Sequence, residues 1–476
     1  MNSKLEIGSD LKKVIALSLL VILSLFISTG VGAAQDALPD GPTYTVQPGD
    51  TLSKIALRFD LTVEEIINAN QLEDPDNISA GTALVLPGFD WVSGYLVIQP
   101  LPLGETYHSI TRRYHMDAAT FSRLSGVISP SQLAAGYPLL LSSDGKEDWD
   151  AGRSGLAAEK SLLELAAATG SNPWQLKEVN QLKGSWEALP GDVLLTPGSG
   201  EPGPGALPSP ITQVAYDGET LVQGKTAVIR VSAGGLDLEL SGELMSNPLN
   251  FFDTGEKNYV ALQGVHVLAD PGAYPLIITG TMQDGSIFSF SQLVTVIDGG
   301  YGRETLTIDK DLEYLLDDEV TVVESQLIRD IVTPVNPEKI WGGYFVPPSP
   351  YSDVINSVFG TRRSFNGSPF DYYHSGVDFG GGIGVEIYAV APGTVVFTNT
   401  LEVRGMSTVI DHGWGVYSGY WHQSEIKVSE GERVEPGQVI GLVGSTGRST
   451  GGHLHWELWV GGVQVDPLDW LYNIYP

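Results

Sequence analysis

The chain has 476 residues with 57 glycines and 29 prolines, which is too long for one hydrophobic core and predicts several domains rich in strands and turns. A formal net charge of −31 argues against a nucleic-acid partner and against general attraction to anionic polymers or lipid headgroups. The absence of cysteine excludes disulfides and cysteine-ligated metal sites.

An export segment is predicted over residues 1–34. Lys12 and Lys13 precede an apolar run over residues 14–27, and small residues follow at 30–34. This order is typical of the charged region, apolar region and cleavage site of a signal peptide. The apolar run is only slightly shorter than a membrane span, so the segment is either cleaved or retained as an anchor. The protein would contact a membrane only in the second case.

A strand, two helices and a second strand are predicted over residues 43–88. The first strand leads into a Gly49-Asp50-Thr51 turn, and residues 62–65 have the capping-box pattern that begins a helix. This segment resembles the LysM module, a small βααβ fold that binds glycans containing N-acetylglucosamine. The resemblance implies that the sugar contacts four residues, Gly49, Asp50, Thr51 and Ile78.

Two diverged LysM-like modules are predicted next, over residues 96–142 and 153–198. The Gly49-Asp50-Thr51 turn is echoed 55 residues later by residues 104–106, and Asn70-Gln71-Leu72 is echoed at twice that distance by residues 180–182. The third module lacks the Gly-Asp-Thr start. Sugar binding and a role as a structural spacer are equally consistent with the sequences of these two modules.

A linker and a β-sandwich-like domain follow. Residues 199–210 are rich in proline and glycine, which predicts a semi-extended linker. Residues 211–298 contain short β-prone runs separated by Gly, Asp and Pro, a pattern typical of a small sandwich that serves as a spacer or docking domain. The predicted strands cover residues 226–231, 236–240, 259–268, 275–279 and 287–296.

An acidic connecting arm is predicted over residues 299–344. Its carboxylates alternate with apolar residues and are Asp309, Asp311, Glu313, Asp317, Asp318 and Glu319. The arm is either a plain connection or a segment that folds over the following domain and restrains its activity.

Residues 345–476 carry side chains suited to zinc. His374 and Asp378 lie four positions apart, and His455 follows 81 residues after His374. Imidazole nitrogens and a carboxylate oxygen are ligands that Zn²⁺ accepts, and three of them leave a fourth position for water, as in catalytic zinc sites. His453 lies two residues before His455 in a β-prone run, so both side chains point to one face. One of them could therefore bind metal while the other moves protons.

This domain resembles the lysostaphin and LytM type of zinc metalloendopeptidase, a mainly antiparallel β fold that cuts peptide cross-links of bacterial cell walls. The resemblance rests on motifs in the family's order, at residues 374–378, 391–395, 409–413, 420–422, 437–441 and 444–455. It implies that His374, Asp378 and His455 bind zinc, and that His422 and His453 are the catalytic histidines. Gln423-Ser424 stands after His422, where the family more often has Leu-Ser.

The sequence therefore predicts an exported zinc metalloendopeptidase, in the periplasm or outside the cell, that binds peptidoglycan through LysM and hydrolyses its cross-links or stem peptides. The alternative is a catalytically silent wall binder that activates a separate amidase. Relatives of this domain that act as such activators typically lack metal ligands, whereas this chain has all three. Two further residues have simpler interpretations: His412 orients the backbone or a metal ligand, and Glu457 is either solvated or supports a ligand from behind.

Overall fold

The computed structural model describes residues 42–476 except 128, 130–131, 144–150, 157–159, 190–191, 200–210, 212, 234 and 309. The predicted export segment and all but the first residue of the predicted linker lie outside the described residues. The chain divides into two compact units, Met1–Val97 with Ser142–Gly145 and Ile98–Leu141 with Lys146–Pro476. None of the helices in the described part of the chain combines the length and apolar character needed to cross a bilayer.

The first unit contains the predicted LysM segment. Its elements are β1 (Thr43–Thr45), α1 (Leu52–Arg58), α2 (Val63–Asn70), β2 (Ala83–Val85) and the start of β3 (Tyr95–Pro100). β1 pairs antiparallel with β2 and parallel with β3. The predicted capping box is confirmed, because Thr62 and Glu65 exchange side-chain and backbone hydrogen bonds at the start of α2. Asn70 bonds to both backbone groups of Val85 and so fixes α2 against β2.

The second unit begins with two further helix pairs. Its first elements are α3 (Tyr107–Arg113), α4 (Ala118–Ser125), β4 (Ala134–Ala135), β5 (Pro138–Ser143), β6 (Ala151–Gly155), α5 (Leu162–Ala168), α6 (Pro173–Val179), a 3₁₀ helix (Ser185–Glu187) and β7 (Val193–Ser199). Asn180 bonds to both backbone groups of Leu195, as Asn70 does to Val85 in the first unit. The residues after these asparagines, Gln71 and Gln181, are both left-handed, with φ of 50° and 52°. The sequence echo thus has a structural counterpart.

Two antiparallel sheets follow. They contain β8 (Gln213–Tyr216), β9 (Leu221–Val222), β10 (Thr226–Ser232), β11 (Leu238–Leu244), β12 (Asn247–Asn250), β13 (Phe252–Asp253), β14 (Asn258–Gly264), β15 (Gly272–Met282) and β16 (Ile287–Ile297). One sheet has the order β13-β14-β10-β8 and the other β12-β11-β15-β16, with β4 added in parallel to β16. Alternate side chains of both sheets, such as Ile229 and Ile278, share one buried core. Leu236, which was predicted in a strand, lies in the turn before β11 and is 54% exposed.

The remaining elements surround one large sheet. They are β17 (Arg303–Leu306), a 3₁₀ helix (Lys310–Leu316), α7 (Asp318–Val332), β18 (Ile355–Ser357), β19 (Arg362–Phe365), β20 (Tyr372–Tyr373), β21 (Val377–Phe379), β22 (Glu386–Tyr388), β23 (Gly393–Leu401), β24 (Gly405–Gly413), β25 (Val416–Ile426), β26 (Arg433–Val434), β27 (Val439–Val443), β28 (Leu454–Val460), β29 (Val463–Val465) and α8 (Pro467–Tyr472). The main path through this sheet is β18-β21-β28-β25-β24-β23-β26.

The two-sheet region packs directly on this large sheet. Val260 of β14 belongs to the same buried cluster as Val460 of β28 and Trp470 of α8. Lys225 forms ion pairs with Asp466 and Asp469 at 2.9 and 2.8 Å. These contacts join the middle region to the C-terminal region through a continuous core.

The predicted acidic arm also packs on the C-terminal region. β17 pairs in parallel with β19. Ile328 and Val332 of α7 are buried in a cluster with Trp421 and Trp459. The described part of the arm therefore packs on the large sheet, with Ile328 and Val332 inward and with Glu313, Asp317 and Glu319 exposed.

Replacing Ile328 by alanine is expected to lower the free energy of unfolding by about 2–5 kcal/mol, because it empties a fully packed site between α7 and the sheet. Urea unfolding followed by tryptophan fluorescence measures this change, since Trp421 and Trp459 lie in the same cluster. Val323→Ala on the same helix is the control, because that side chain is 68% exposed. Equal effects of the two substitutions would show that α7 does not pack here.

Candidate metal centre and catalytic cleft

The large sheet brings the three predicted metal ligands together. β21 and β28 pair so that Asp378 lies directly opposite His455. His374 lies just after β20, four residues before Asp378. The Nε2 atom of His374 lies 3.0 Å from Asp378 Oδ1 and 3.0 Å from His455 Nδ1, and His455 Nδ1 lies 2.7 Å from Asp378 Oδ1. In the described residues this is the group of side chains with the geometry to hold a metal ion.

The hydrogen bonds behind these ligands fix which ring nitrogens face inward. Nδ1 of His374 lies 3.0 Å from the backbone oxygen of Val358, which only accepts, so Nδ1 carries the proton and Nε2 is bare. Nε2 of His455 lies 3.1 Å from a carboxylate oxygen of Glu457, so this nitrogen donates and Nδ1 is bare. In the neutral rings, two lone pairs and a carboxylate oxygen therefore face one another. A bound cation satisfies this arrangement, and the donor set suits zinc.

The site is buried, and this strengthens its electrostatic attraction for a cation. His374, Asp378 and His455 are 1%, 9% and 8% exposed. Burial alone would raise the pKa of Asp378, but His455 and His374, when they carry a proton on the nitrogen that faces the carboxylate, outweigh it and hold that pKa well below its usual range. The carboxylate is thus ionised and available as a ligand at neutral pH.

The two predicted catalytic histidines lie beside this group. His422 is on β25 and His453 immediately precedes β28, and their ring centres are 5.1 Å apart. Nδ1 of His422 donates to the backbone oxygen of Thr446 at 2.7 Å, and Nδ1 of His453 donates to that of Gly451 at 2.9 Å. Nε2 of His453 lies 3.6 Å from Asp378 Oδ1. In each ring, Nε2 is therefore the nitrogen without a proton.

His422 is uncharged at neutral pH. Burial and the nearby His455 and His453 together lower its pKa to about 3, so the ring does not carry a second proton there. Its backbone is left-handed, with φ of 60°, and its N–H donates to the backbone oxygen of Arg404. This strained turn in β25 directs the ring into the cleft and is held by the 401–406 loop.

Glu457 has a larger role than its sequence position alone indicated. The alternative that it is solvated is wrong, because the residue is only 1% exposed. Its carboxylate accepts hydrogen bonds from Ser375 Oγ at 2.6 Å, from His455 Nε2 and from Gln464 Nε2 at 2.8 Å. Burial raises its pKa, but Arg404 and His455 outweigh this and lower the pKa to about 2. The spacing of two from His455 on β28 is the sequence signal for this contact.

His412 lies in the core instead of at the metal group. Its Nδ1 donates to the backbone oxygen of Pro392 and its Nε2 lies 2.8 Å from Ser418 Oγ. Ser418 Oγ in turn lies 3.0 Å from the hydroxyl of Tyr420, which accepts from the N–H of Val390. His412 therefore ties β24 to β25 through buried polar groups and supports the strand that carries His422.

A cavity of about 530 Å³ opens over the metal group. His422, His453 and His455 line it, and β19, the 401–406 loop and the 444–453 loop form its rim. The predicted arm also contributes, because the same cavity is lined by Glu304, Leu306, Thr307, Ile308, Thr321 and Ser325. The sequence predicts that the arm adjoins the domain, but it contains no signal for these individual contacts.

The four residues predicted to bind sugar lie in the first unit. Asp50 accepts from the hydroxyl of Tyr44 at 2.6 Å and from the N–H of Gln47 at 2.9 Å, and it pairs with Arg58. Thr51 caps α1, and Gly49 is left-handed with φ of 83°. Ile78 is half-buried. The Gly49-Asp50-Thr51 turn is thus built by internal hydrogen bonds that leave its outer surface exposed.

Comparison with known proteins places the site in a family. Residues 372–467 match the model described as Peptidase family M23, and residues 44–87 match the LysM domain. The chain carries an M23 peptidase domain and a LysM domain. The M23 domain contains the three candidate ligands His374, Asp378 and His455, and also His422 and His453.

Individual relatives match mainly over a short part of the chain. Peptidoglycan DD-endopeptidase ShyA of Vibrio cholerae is 41% identical over 114 residues, covering 24% of this chain and 26% of the relative. DD-carboxypeptidase/endopeptidase Mpg of Neisseria meningitidis is 38% identical over 130 residues, covering 27% and 29%. Murein hydrolase activator EnvC of Escherichia coli is 36% identical over 96 residues, covering 20% and 23%. The matches therefore span less than a third of each relative.

Replacing Glu457 by glutamine is expected to weaken zinc affinity about 10- to 100-fold, because the charge that orients and polarises His455 is lost. Competition with a fluorescent zinc chelator measures the dissociation constant directly. The matched control is Glu425→Gln, an exposed carboxylate on β25. Unchanged zinc affinity in Glu457→Gln would contradict the role assigned to Glu457.

The buried His412 is expected to make the protein less stable in acid. Burial lowers its pKa from the usual value of 6.5 to about 4. The unfolded chain therefore binds a proton that the folded protein excludes, and about 3 kcal/mol of stability is lost as the pH falls from 6.5 to 4. Urea unfolding across this range measures the slope. His412→Gln should remove that part of the slope, whereas the exposed His108→Gln should keep it.

Proposed function

We propose that this protein is an exported zinc metalloendopeptidase that hydrolyses peptide cross-links or stem peptides of peptidoglycan. One observation carries the proposal: three bare ligand atoms converge beside two further imidazoles at the base of one cleft. The relatives named as peptidoglycan endopeptidases support peptidoglycan as the substrate. Because one of them is named a DD-endopeptidase, we expect this protein to cut a cross-link between D-amino acids and not a glycine bridge.

His374, Asp378 and His455 would hold the zinc ion. When bound there, zinc supplies a Lewis acid that lowers the pKa of a water molecule and polarises the scissile carbonyl. Glu457 and the backbone oxygen of Val358 keep the two ligand rings in the required tautomers.

His422 and His453 would move the proton. Both donate from Nδ1 to a backbone oxygen, so Nε2 of either ring can accept a proton from the attacking water. After accepting it, the same Nε2–H becomes a donor, which can stabilise the oxyanion or pass the proton to the leaving amine. One ring acts as the base and the other stabilises the charge that develops on the substrate.

The LysM domain would hold the enzyme on glycan that contains N-acetylglucosamine, through the outer surface of residues 49–51 and Ile78. Tethering raises the local concentration of the peptidase at its cross-links. Because the protein is strongly acidic, general electrostatic attraction to wall polymers does not replace this specific contact.

We propose that the second LysM-like module is a spacer. The turn that corresponds to the sugar-binding turn of the first module packs on the β-sandwich. The N–H of Gly104 donates to Gln292 at 2.7 Å, and Gln292 donates to the backbone oxygen of Glu105. Glu105 itself is 3% exposed. The third module keeps exposed Trp174 and Trp186, and its bridging Asn180 supports its assignment as a LysM-like repeat.

The predicted arm would be part of the cleft wall and not a removable cover. Glu324 on α7 accepts from the N–H of Val403 at 2.8 Å and from the N–H and guanidinium of Arg404. The backbone oxygen of Arg404 then holds the N–H of His422. Removing the arm would therefore free the loop that positions a catalytic histidine.

The silent-activator alternative has one relative in its favour, the activator EnvC. The complete set of three ligands and two further histidines favours an active enzyme, because a binder has no use for their buried arrangement.

Mass spectrometry of purified cell walls tests the proposal. The zinc-loaded chain beginning at residue 35 is expected to release muropeptides with new peptide termini, which identify the bond cut. His374→Ala should abolish release by removing a zinc ligand, and His108→Ala, on an exposed part of α3, should not. Failure of the zinc-loaded, folded protein to release peptides, together with stimulation of a separate amidase, would establish the activator alternative.

A further inference from the structure

The catalytic cavity contains three arginines, in a chain with 26 basic and 57 acidic residues. Two of them are neutralised inside the protein. Arg363 pairs with Glu304 at 2.5 Å and lies 3.7 Å from Asp378. Arg404 pairs with Glu324 at 2.9 Å. These two cations therefore have structural partners.

Arg448 differs from the other two. In the part of the chain that the structure describes, its guanidinium has no ion-pair partner and donates one hydrogen bond, from Nη1 to the backbone oxygen of Leu315 at 3.0 Å. The guanidinium lies over the ring of Phe365, 5.5 Å from its centre. A guanidinium has five N–H donors, so most of its hydrogen-bonding capacity is left for the cavity.

The position of Arg448 is fixed by the same loop that supports the catalytic histidines. Its N–H donates to the backbone oxygen of Val403 at 2.8 Å. Two residues earlier, Thr446 accepts from His422 and donates through Oγ1 to the backbone oxygen of Gln423 at 2.8 Å. The guanidinium is therefore preorganised relative to His422, with little rotational freedom to lose when it binds.

The electrostatic environment of Arg448 favours the binding of an anion. Burial and the neighbouring Arg404 and Arg363 together lower the pKa of Arg448 to about 10. The side chain is still charged at neutral pH. Glu324 offsets part of the repulsion, but its carboxylate is already bound by Arg404. A charge that is partly removed from water without a partner is costly, and an anionic ligand would relieve that cost.

We propose that Arg448 binds a free carboxylate of the wall peptide next to the scissile amide, and that this contact makes the enzyme select carboxylate-bearing over amidated peptides. The planar fork of a guanidinium matches the two oxygens of a carboxylate. The ring of Phe365 and the backbone oxygen of Leu315 contact the guanidinium, and Arg448 lines the same cavity as His422, His453 and His455. The inference rests on the proposed peptidase function and names the substrate group that the cleft recognises.

Two cross-linked peptides that differ only in this group test the proposal. One has a free carboxylate on the residue beside the scissile bond, and the other has a carboxamide there. The zinc-loaded enzyme is expected to cleave the carboxylate form with kcat/KM about 10- to 100-fold higher, as expected for a charge-assisted hydrogen-bonded pair. In Arg448→Gln this ratio should fall to about 1. Arg433→Gln should keep it, because the Arg433 side chain is 65% exposed.

A purely structural role for Arg448 predicts different results. If Arg448 only tied the loop to Leu315, Arg448→Gln would lower Tm and reduce cleavage of both peptides by the same factor, and this outcome would overturn the proposal. Arg448→Lys keeps the charge without the fork and should keep part of the preference, so it serves if the glutamine variant does not fold. A ratio unchanged in Arg448→Lys and Arg448→Gln would also overturn the proposal.

The two proposals fail in different ways. If the wild-type enzyme cleaves neither peptide, the peptidase function fails. Calorimetric titration of the zinc-loaded protein with each intact peptide then still decides the role of Arg448. Tighter binding of the carboxylate peptide, lost in Arg448→Gln, would support it, and equal binding of the two peptides would refute it.

Discussion

The cross-strand pair of Asp378 and His455 is the contact on which the rest of the cleft depends. β21 and β28 pair in a register that places an ionised carboxylate against a bare ring nitrogen in a buried site. The carboxylate of Asp378 and the bare nitrogen of His455 can both bind a cation there, and neighbouring groups hold each of them in its orientation. A shift of one strand by one residue would turn its side chain to the opposite face of the sheet, away from its partner, and the site would be lost.

A series of charged residues, each in contact with or close to the next, supports this pair. Glu457 orients His455 from the same strand, and the neighbouring Arg404 helps to keep Glu457 ionised. Arg404 is held in turn by Glu324 of α7. The charges of Glu457, Arg404 and Glu324 therefore alternate in sign from the metal group to the arm. This alternation explains how so many ionisable groups are buried together without a large unbalanced charge, Arg448 excepted.

The regions around the M23 domain contribute to its rigidity. The two-sheet region shares a buried cluster with the central sheet, and α7 packs on a second cluster that contains Trp421 of β25. His412, Ser418 and Tyr420 form a buried polar line within the sheet. Packing from several directions keeps the left-handed backbone of His422 in place, which an isolated hairpin would not do.

Local patterns in the sequence determined much of the local structure. The capping box at Thr62 and Glu65 sets the start of a helix through hydrogen bonds only three residues apart. The alternation along a strand places His453 and His455 on one side because successive side chains of a strand point to opposite faces. The chemical types of the candidate ligands, imidazole and carboxylate, also follow from residue identity alone, and such donors suit zinc. In each case the interacting groups are close in the chain or their chemistry is independent of geometry.

The tertiary structure alone decided which distant groups meet. Glu324 reaches the loop at Arg404 across 80 residues, and Arg448 reaches Leu315 across 133 residues. Gly104 meets Gln292 across 188 residues. Such contacts depend on sheet register and on the packing of whole elements, so no short segment contains a signal for them. The sequence determined which chemical groups are present, and the fold decided which charges are paired and which arginine of the cavity has no ion-pair partner among the described residues.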